Sequence, residues 1–150
     1  IDGNKFPVEL IPINIIKGLA LSVFLGQLEG YVASQALKQR NLFEITCERD
    51  LKLVDVTGRN LARLGLDGQI SACGCHEYTH CRAWGNAIWQ HPDNVDGIRY
   101  RCRHDDDLYS VGLFENRVDD SLRDNNLGNL MDNQPQLDLI LEHYEYGLLL

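Results

Sequence analysis

The segment that most limits how this chain can fold runs from Asp96 to Arg117. Asp96-Gly97 is a turn pair. Ile98-Arg99-Tyr100-Arg101-Cys102 then alternates apolar and polar residues with period two, the pattern of a strand with one buried face. A second strand pattern, Ser110-Val111-Gly112-Leu113-Phe114, follows an acidic loop from Arg103 to Tyr109. That loop is too long for a tight two-residue hairpin. It either folds over a site or stands in water as a charged excursion, and its composition favours water.

The rest of the chain mixes short elements of both kinds. Gly3 to Pro7 is turn chemistry, and Leu19 to Leu25 reads as a strand carrying Phe24. From Gln27 to Arg40, Leu28, Tyr31, Val32, Ala36 and Leu37 recur at helical spacing, and Asn41 marks the stop. Leu42 to Thr46 and Leu51 to Val56 are strand patterns. Thr57 is placed to cap a short helix through Leu64 that Gly65 ends. A helix is expected from His76 to His91, with Tyr78, Cys81, Gly85 and Ile88 along one side and Pro92 closing it. Asp119 to Gln134, rich in Asp and Asn, reads as a surface wrap. Pro135 opens a last helix with the stripe Leu137, Ile140, Leu141 and Tyr144, which Gly147 ends. Strands and helices do not alternate regularly, so the class is α+β rather than a doubly wound parallel sheet. One domain over residues 1–150 suffices, with 118–150 as its surface wrap and closing helix.

Charge and cysteines narrow the function classes. A net charge of −8 excludes nucleic acid as a direct partner, because phosphate contacts need clustered Lys and Arg. The one dense basic cluster is Arg99, Arg101 and Arg103, which would share a strand face. Asp105 to Asp107 would neutralise it, giving a solvated ion-pair cluster. The sharper alternative turns that arginine face toward a nucleotide phosphate. Leu10 to Ile16 and Leu19 to Leu25 are interrupted by Pro12, Asn14 and Ser22, so no membrane span is expected. Five cysteines without a visible signal peptide read as reduced thiols of a cytoplasmic protein. Cys47, beside a strand, reads as a small buried hydrophobe.

Two patterns suggest metal. His76-Glu77-Tyr78-Thr79-His80 matches H-E-x-x-H, in which two histidines one turn apart bind zinc and the glutamate acts as base. A third ligand is missing: Ala83 and Asn86 stand where the longer motif has glycine and histidine. A zinc protease is therefore a distant reading. Cys73, Cys75, His76, His80 and Cys81 would supply soft ligands to a structural zinc, but their spacing is irregular. The plainer reading is a helix entrance with incidental thiols and imidazoles, and no metal is expected.

The chain resembles the RES domain family, named for an arginine, a glutamate and a serine. The Gly97 turn, the Ile98-Arg99-Tyr100 strand and the strand ending in Leu113-Phe114 carry the family signature. Leu53 to Gly58, Leu61 to Leu66, Ala83-Trp84 before Ile88 and His91-Pro92, and Tyr144 before Gly147-Leu148-Leu149 stand in family order. The resemblance implies one compact α+β domain similar to ADP-ribosyltransferases, with short strands, peripheral helices and NAD⁺ in a cleft between sheets. It implies a bacterial toxin that breaks NAD⁺ at the nicotinamide–ribose bond, with NAD⁺ as substrate or ligand and no further cofactor. An Xre-type antitoxin is the implied partner. A strand with its arginine precedes this region in the family, so the chain is expected to lack its N-terminal strand.

The resemblance also assigns a site, with departures. Lys5 stands where the family has arginine, Phe24 where it has tyrosine, Ser34 where it has glutamate and Cys102 where it has serine. Lys5, Phe24 and Tyr100 become the ligand-holding set, and Ser34 and Cys102 the catalytic pair. Lysine keeps the charge but loses the bidentate fork. Phe24 keeps the stacking face without the hydroxyl, and Cys102 keeps the shape with a weaker hydrogen bond. Ser34 is the serious loss, because a hydroxyl cannot oppose the positive charge that develops on the ribose as a carboxylate does. Glu29, about one and a half turns earlier, is a poor substitute. The implied activity is weakened NAD⁺ breakdown, and the alternative is a binding protein on the same fold.

Overall fold

A computed structural model describes residues 8–11, 16–18, 30–68, 78–102 and 105–150. In chain order the elements are β1 (Val8–Ile11), β2 (Ile16–Gly18), β3 (Tyr31–Ala33), α1 (Ser34–Lys38), β4 (Asn41–Cys47), β5 (Leu51–Asp55) and α2 (Arg59–Leu64). After these come α3 (Tyr78–Trp89), β6 (Gly97–Arg101), β7 (Tyr109–Leu113), α4 (Glu115–Val118), β8 (Leu122–Asn129), α5 (Gln134–His143) and β9 (Gly147–Leu149). The chain is mixed α+β with short elements throughout. It sorts into two compact units, Ile1–Ile13 with Cys47–Leu122, and Asn14–Thr46 with Arg123–Leu150.

The first unit is built on the sheet β1-β5-β6-β7. β5 and β6 run parallel, so the chain between them must cross over, and α2 and α3 lie in that crossover. On one sheet face Trp84 and Ile88 of α3 pack against Val54, Val56, Val95, Ile98 and Tyr100. On the other, Leu51 and Leu53 meet Val118, with Cys47, Val111, Leu113 and Leu122 around them. Covering both faces is what makes β5 read as a nearly unbroken apolar run.

The entry to β6 is tied down by charge. Asp96 is buried and accepts hydrogen bonds from both terminal guanidinium nitrogens of Arg49, each at 2.7 Å, and from the Lys52 N–H at 2.8 Å. The fork reaches across from the β4–β5 turn, and Arg49 also donates to the Arg117 carbonyl at 2.9 Å. Arg117 in turn donates to the carbonyls of Val95 and Trp89. The turn pair predicted from sequence is thus held by contacts that are remote along the chain.

The second unit has two small sheets, β2-β4-β8 and the parallel pair β3-β9. Its core joins Val32 and Leu37 to Leu130, Leu137 and Ile140. Asn129 closes the end of α1: its side-chain amide donates to the carbonyls of Leu37, Lys38 and Arg40 at 3.0, 3.0 and 2.7 Å. Leu37 and Lys38 close the last turn of α1, where carbonyls lack intrahelical partners, and Arg40 lies just beyond it; the Leu37 carbonyl also accepts from the Arg40 N–H at 3.0 Å.

The expected strands at Leu42 to Thr46, Leu51 to Val56, Ile98 to Cys102 and Ser110 to Phe114 are present within about a residue; the long helix, here α3, ends at Trp89 rather than His91, and its expected start at His76 lies outside the described residues. Three expectations need correction, and a fourth gains a strand. Tyr31 to Ala33 form a strand, not part of a helix from Gln27, because Gly30 takes φ +77° and parallel pairing with β9 claims the next three residues. Thr57 does not cap α2; its hydroxyl donates to Asp55 at 2.8 Å, and Gly58 takes the cap position. The polar stretch after Asp119 is mostly exposed, as a surface wrap would be, and it contains β8, held by pairing in the β2-β4-β8 sheet rather than by an apolar face. Gly147 opens β9 instead of ending α5, and the close Tyr31 ring leaves no room there for a Cβ. The strand expected at Leu19 to Leu25 lies outside the described residues.

Candidate functional site

β6 divides the chemistry of the first unit between its two faces, since neighbouring side chains on a strand point opposite ways. Ile98 and Tyr100 face α3. Between them and the helix lies a partly open cavity of about 160 Å³. From α3, the stripe Cys81, Trp84, Gly85 and Ile88 lines it, spaced one helical turn apart, and Val56 of the neighbouring chain segment completes the wall. The lining is apolar and aromatic, with no charged side chain among the described residues.

The opposite face carries Arg99 and Arg101. Arg99 sits in register with Asp55 and closes an ion pair with it at 3.0 Å. The Asp55 carboxylate also accepts from Thr57 Oγ1 at 2.8 Å and from Asn60 Nδ2 at 2.9 Å. Asp55, Thr57 and Asn60 are all buried. Burial alone would raise the Asp55 pKa, but the hydrogen bonds from Arg99 and Thr57, the Arg99 charge and the Asn60 amide outweigh it, and the net shift is downward. Asp96 follows the same pattern: desolvation pushes up, while the Arg49 fork and the Lys52 N–H pull further down. The Arg49 guanidinium is shifted upward, chiefly by its hydrogen bonds to Asp96. Arg99 and Arg101 both lie over the exposed Tyr109 ring, at 5.1 and 4.2 Å from its centre.

The arginine cluster has a partner that its spacing in the sequence does not give. Arg99 is bound to Asp55, 44 positions earlier, and Arg101 donates to the Asp107 main-chain carbonyl at 3.1 Å. Arg103 lies outside the described residues. Asp55 was not singled out as a site residue. Its signal was present in a carboxylate set between Val54 and Val56, with Thr57 and Asn60 two and five positions on.

Of the assigned residues, Tyr100 forms part of the cavity wall. Cys102 follows the end of β6 and does not line that cavity; its N–H is bonded to the Leu108 carbonyl at 2.9 Å, and its thiol is free and half-buried. Ser34 is buried at the first residue of α1 in the second unit, and the first turn of α1 holds no acidic residue. Lys5 and Phe24 lie outside the described residues, as does Glu29. So do Cys73, Cys75 and His76, with the side chain of His80. Among the described residues no group of three His, Cys, Asp or Glu is placed to hold a metal.

The expectation of reduced thiols holds for Cys47 and Cys102 and fails for Cys81, which is disulfide-bonded. Cys47 packs against the Leu51, Leu53 and Val118 cluster as a half-buried small hydrophobe. Among the described residues no helix is long and apolar enough to cross a membrane.

Comparison with known families finds a match to the RES domain model over residues 20–140. No curated protein and no solved structure matches the chain.

Proposed function

This chain belongs to the RES domain family, and from that premise we propose that it is a nucleotide-binding RES protein whose cleavage of the nicotinamide–ribose bond of NAD⁺ is weakened. The observation that carries the weakening is the first turn of α1, which presents buried Ser34 and no acidic side chain. Breaking an N-glycosidic bond leaves positive charge on the ribose, and a fixed carboxylate lowers that barrier only if it stands there. This reading takes Tyr100 on the signature strand and Cys102 just beyond its end as a wall of the ligand site, with Lys5 and Phe24 as further ligand-holding groups. The arginine face over Tyr109 lies on the other side of that strand, so it does not serve the same pocket. An Xre-type antitoxin is the partner this reading implies, and a RES-fold binding protein without turnover is its alternative.

The test is to incubate the pure protein with NAD⁺, follow nicotinamide release by NMR, and measure NAD⁺ binding by calorimetry. Saturable binding with release on the order of a hundredfold slower than in a relative that retains the glutamate is expected. Rapid release would overturn the weakening, and no binding would overturn the nucleotide reading. Binding with no release at all would select the alternative.

A further inference from the structure

Gly85 stands in the interior of α3, a 12-residue helix. Glycine is disfavoured there relative to alanine, because it gives up more backbone freedom on folding and covers no surface. Packing does not demand it: among the described residues nothing lies within 4 Å of the place a Gly85 Cβ would take, outside the helix's own neighbouring backbone. What the missing side chain leaves is open space, bounded by Trp84 and Ile88 on the helix and by Ile98 and Tyr100 on the sheet. That space is about 160 Å³, the size of apolar cavities that admit one benzene ring.

The lining sets the chemistry of the guest. Among the described residues no Asp, Glu, Lys, Arg or His borders the cavity, and Cys81, being disulfide-bonded, brings no ionisable thiol. A charged ring entering it would lose its water with no opposite charge in return. A neutral ring would find aromatic faces or edges at Trp84 and Tyr100 in the offset or edge-on contacts that aromatic pairs favour. We infer that the cavity between α3 and β6 is a binding site for a single neutral aromatic ring. Two sources share that chemistry, a free small aromatic molecule and the neutral nicotinamide that NAD⁺ cleavage would release. The inference does not rest on turnover: a protein that leaves NAD⁺ intact and still binds a ring loses the proposed function and keeps this site.

The experiment titrates ¹⁵N-labelled protein with benzene and, separately, with nicotinamide, following the Trp84 indole N–H. A saturable shift at Trp84, absent at the exposed Trp89, is expected for at least one ring. Tighter binding of nicotinamide identifies the reaction product as the guest, and tighter binding of benzene identifies an unrelated apolar molecule. Gly85→Ala, which places a methyl group in the cavity on a better helix former, is expected to keep the fold and weaken ring binding at least tenfold. No saturable shift at Trp84 with either ring overturns the inference, and so does equal affinity in the alanine variant.

Discussion

A Cβ placed on Gly97 would overlap the carbonyl oxygen of Gly112 on the neighbouring strand and stand 3.0 Å from the Leu113 Cα. Both obstacles are main chain, so no rotamer change can relieve them. The same position is held from the other side by Asp96 and its Arg49 fork. Gly97 is therefore required by the tight β6–β7 approach rather than by turn geometry.

Gly97→Ala is expected to destabilise the protein by about 3 kcal/mol, the upper part of the overpacking range, read as a lowered urea midpoint. Gly85→Ala makes the same chemical change where there is room, and should stabilise by about 0.5–1 kcal/mol. Equal effects at the two glycines would mean that β6 and β7 leave room for a Cβ at Gly97.

Asp55→Asn removes the carboxylate opposite Arg99 and should cost about 3 kcal/mol, because it leaves a partly buried guanidinium without its counter-charge. Arg99→Met should cost a similar amount by stranding the Asp55 carboxylate. The double variant should be clearly more stable than the sum of the two losses predicts, by on the order of 1 kcal/mol or more. Strict additivity in urea melts would show that the two side chains do not act as a pair.

Acid should unfold the first unit through the same carboxylates. Asp55 and Asp96 are both held below their ordinary value in the folded chain. A depressed folded pKa contributes stability that is fully present above the unfolded value of about 3.9 and is lost as pH falls from there through the folded value. Stability measured from pH 6 downward should stay level to near pH 4 and then fall. Asp55→Asn should shrink that fall, and an unchanged slope would assign the acid sensitivity elsewhere.

Cys102→Ser supplies the hydroxyl that the proposed function assigns to this position, with little change in shape. It should raise nicotinamide release severalfold and leave the urea midpoint within about 1 kcal/mol of its starting stability. Ser34→Glu should raise release by about a hundredfold per folded molecule. Ser34 is buried, so that variant also carries a desolvation cost, and rates must be normalised to the folded fraction. No gain from either change would remove both positions from the reaction.

Period-two alternation was enough to find β6 and β7, because a strand with a buried face writes that burial into every second residue. The stripe of α3 was equally legible, since side chains a turn apart share one helix face. Family order, too, could be read directly from the run between Leu53 and Phe114. Polar partnership was not legible in this way. Thr57 looks like a helix cap until Asp55 is seen beside it, and Arg99 looks like a neighbour of Asp105 until parallel pairing brings β5 alongside. β8 shows no apolar period and exists because β4 offers it an edge. Local pattern thus determined which segments bury a face. The tertiary structure alone decided which charges meet, because Coulomb attraction and hydrogen bonding depend on distance in space and carry no sequence period.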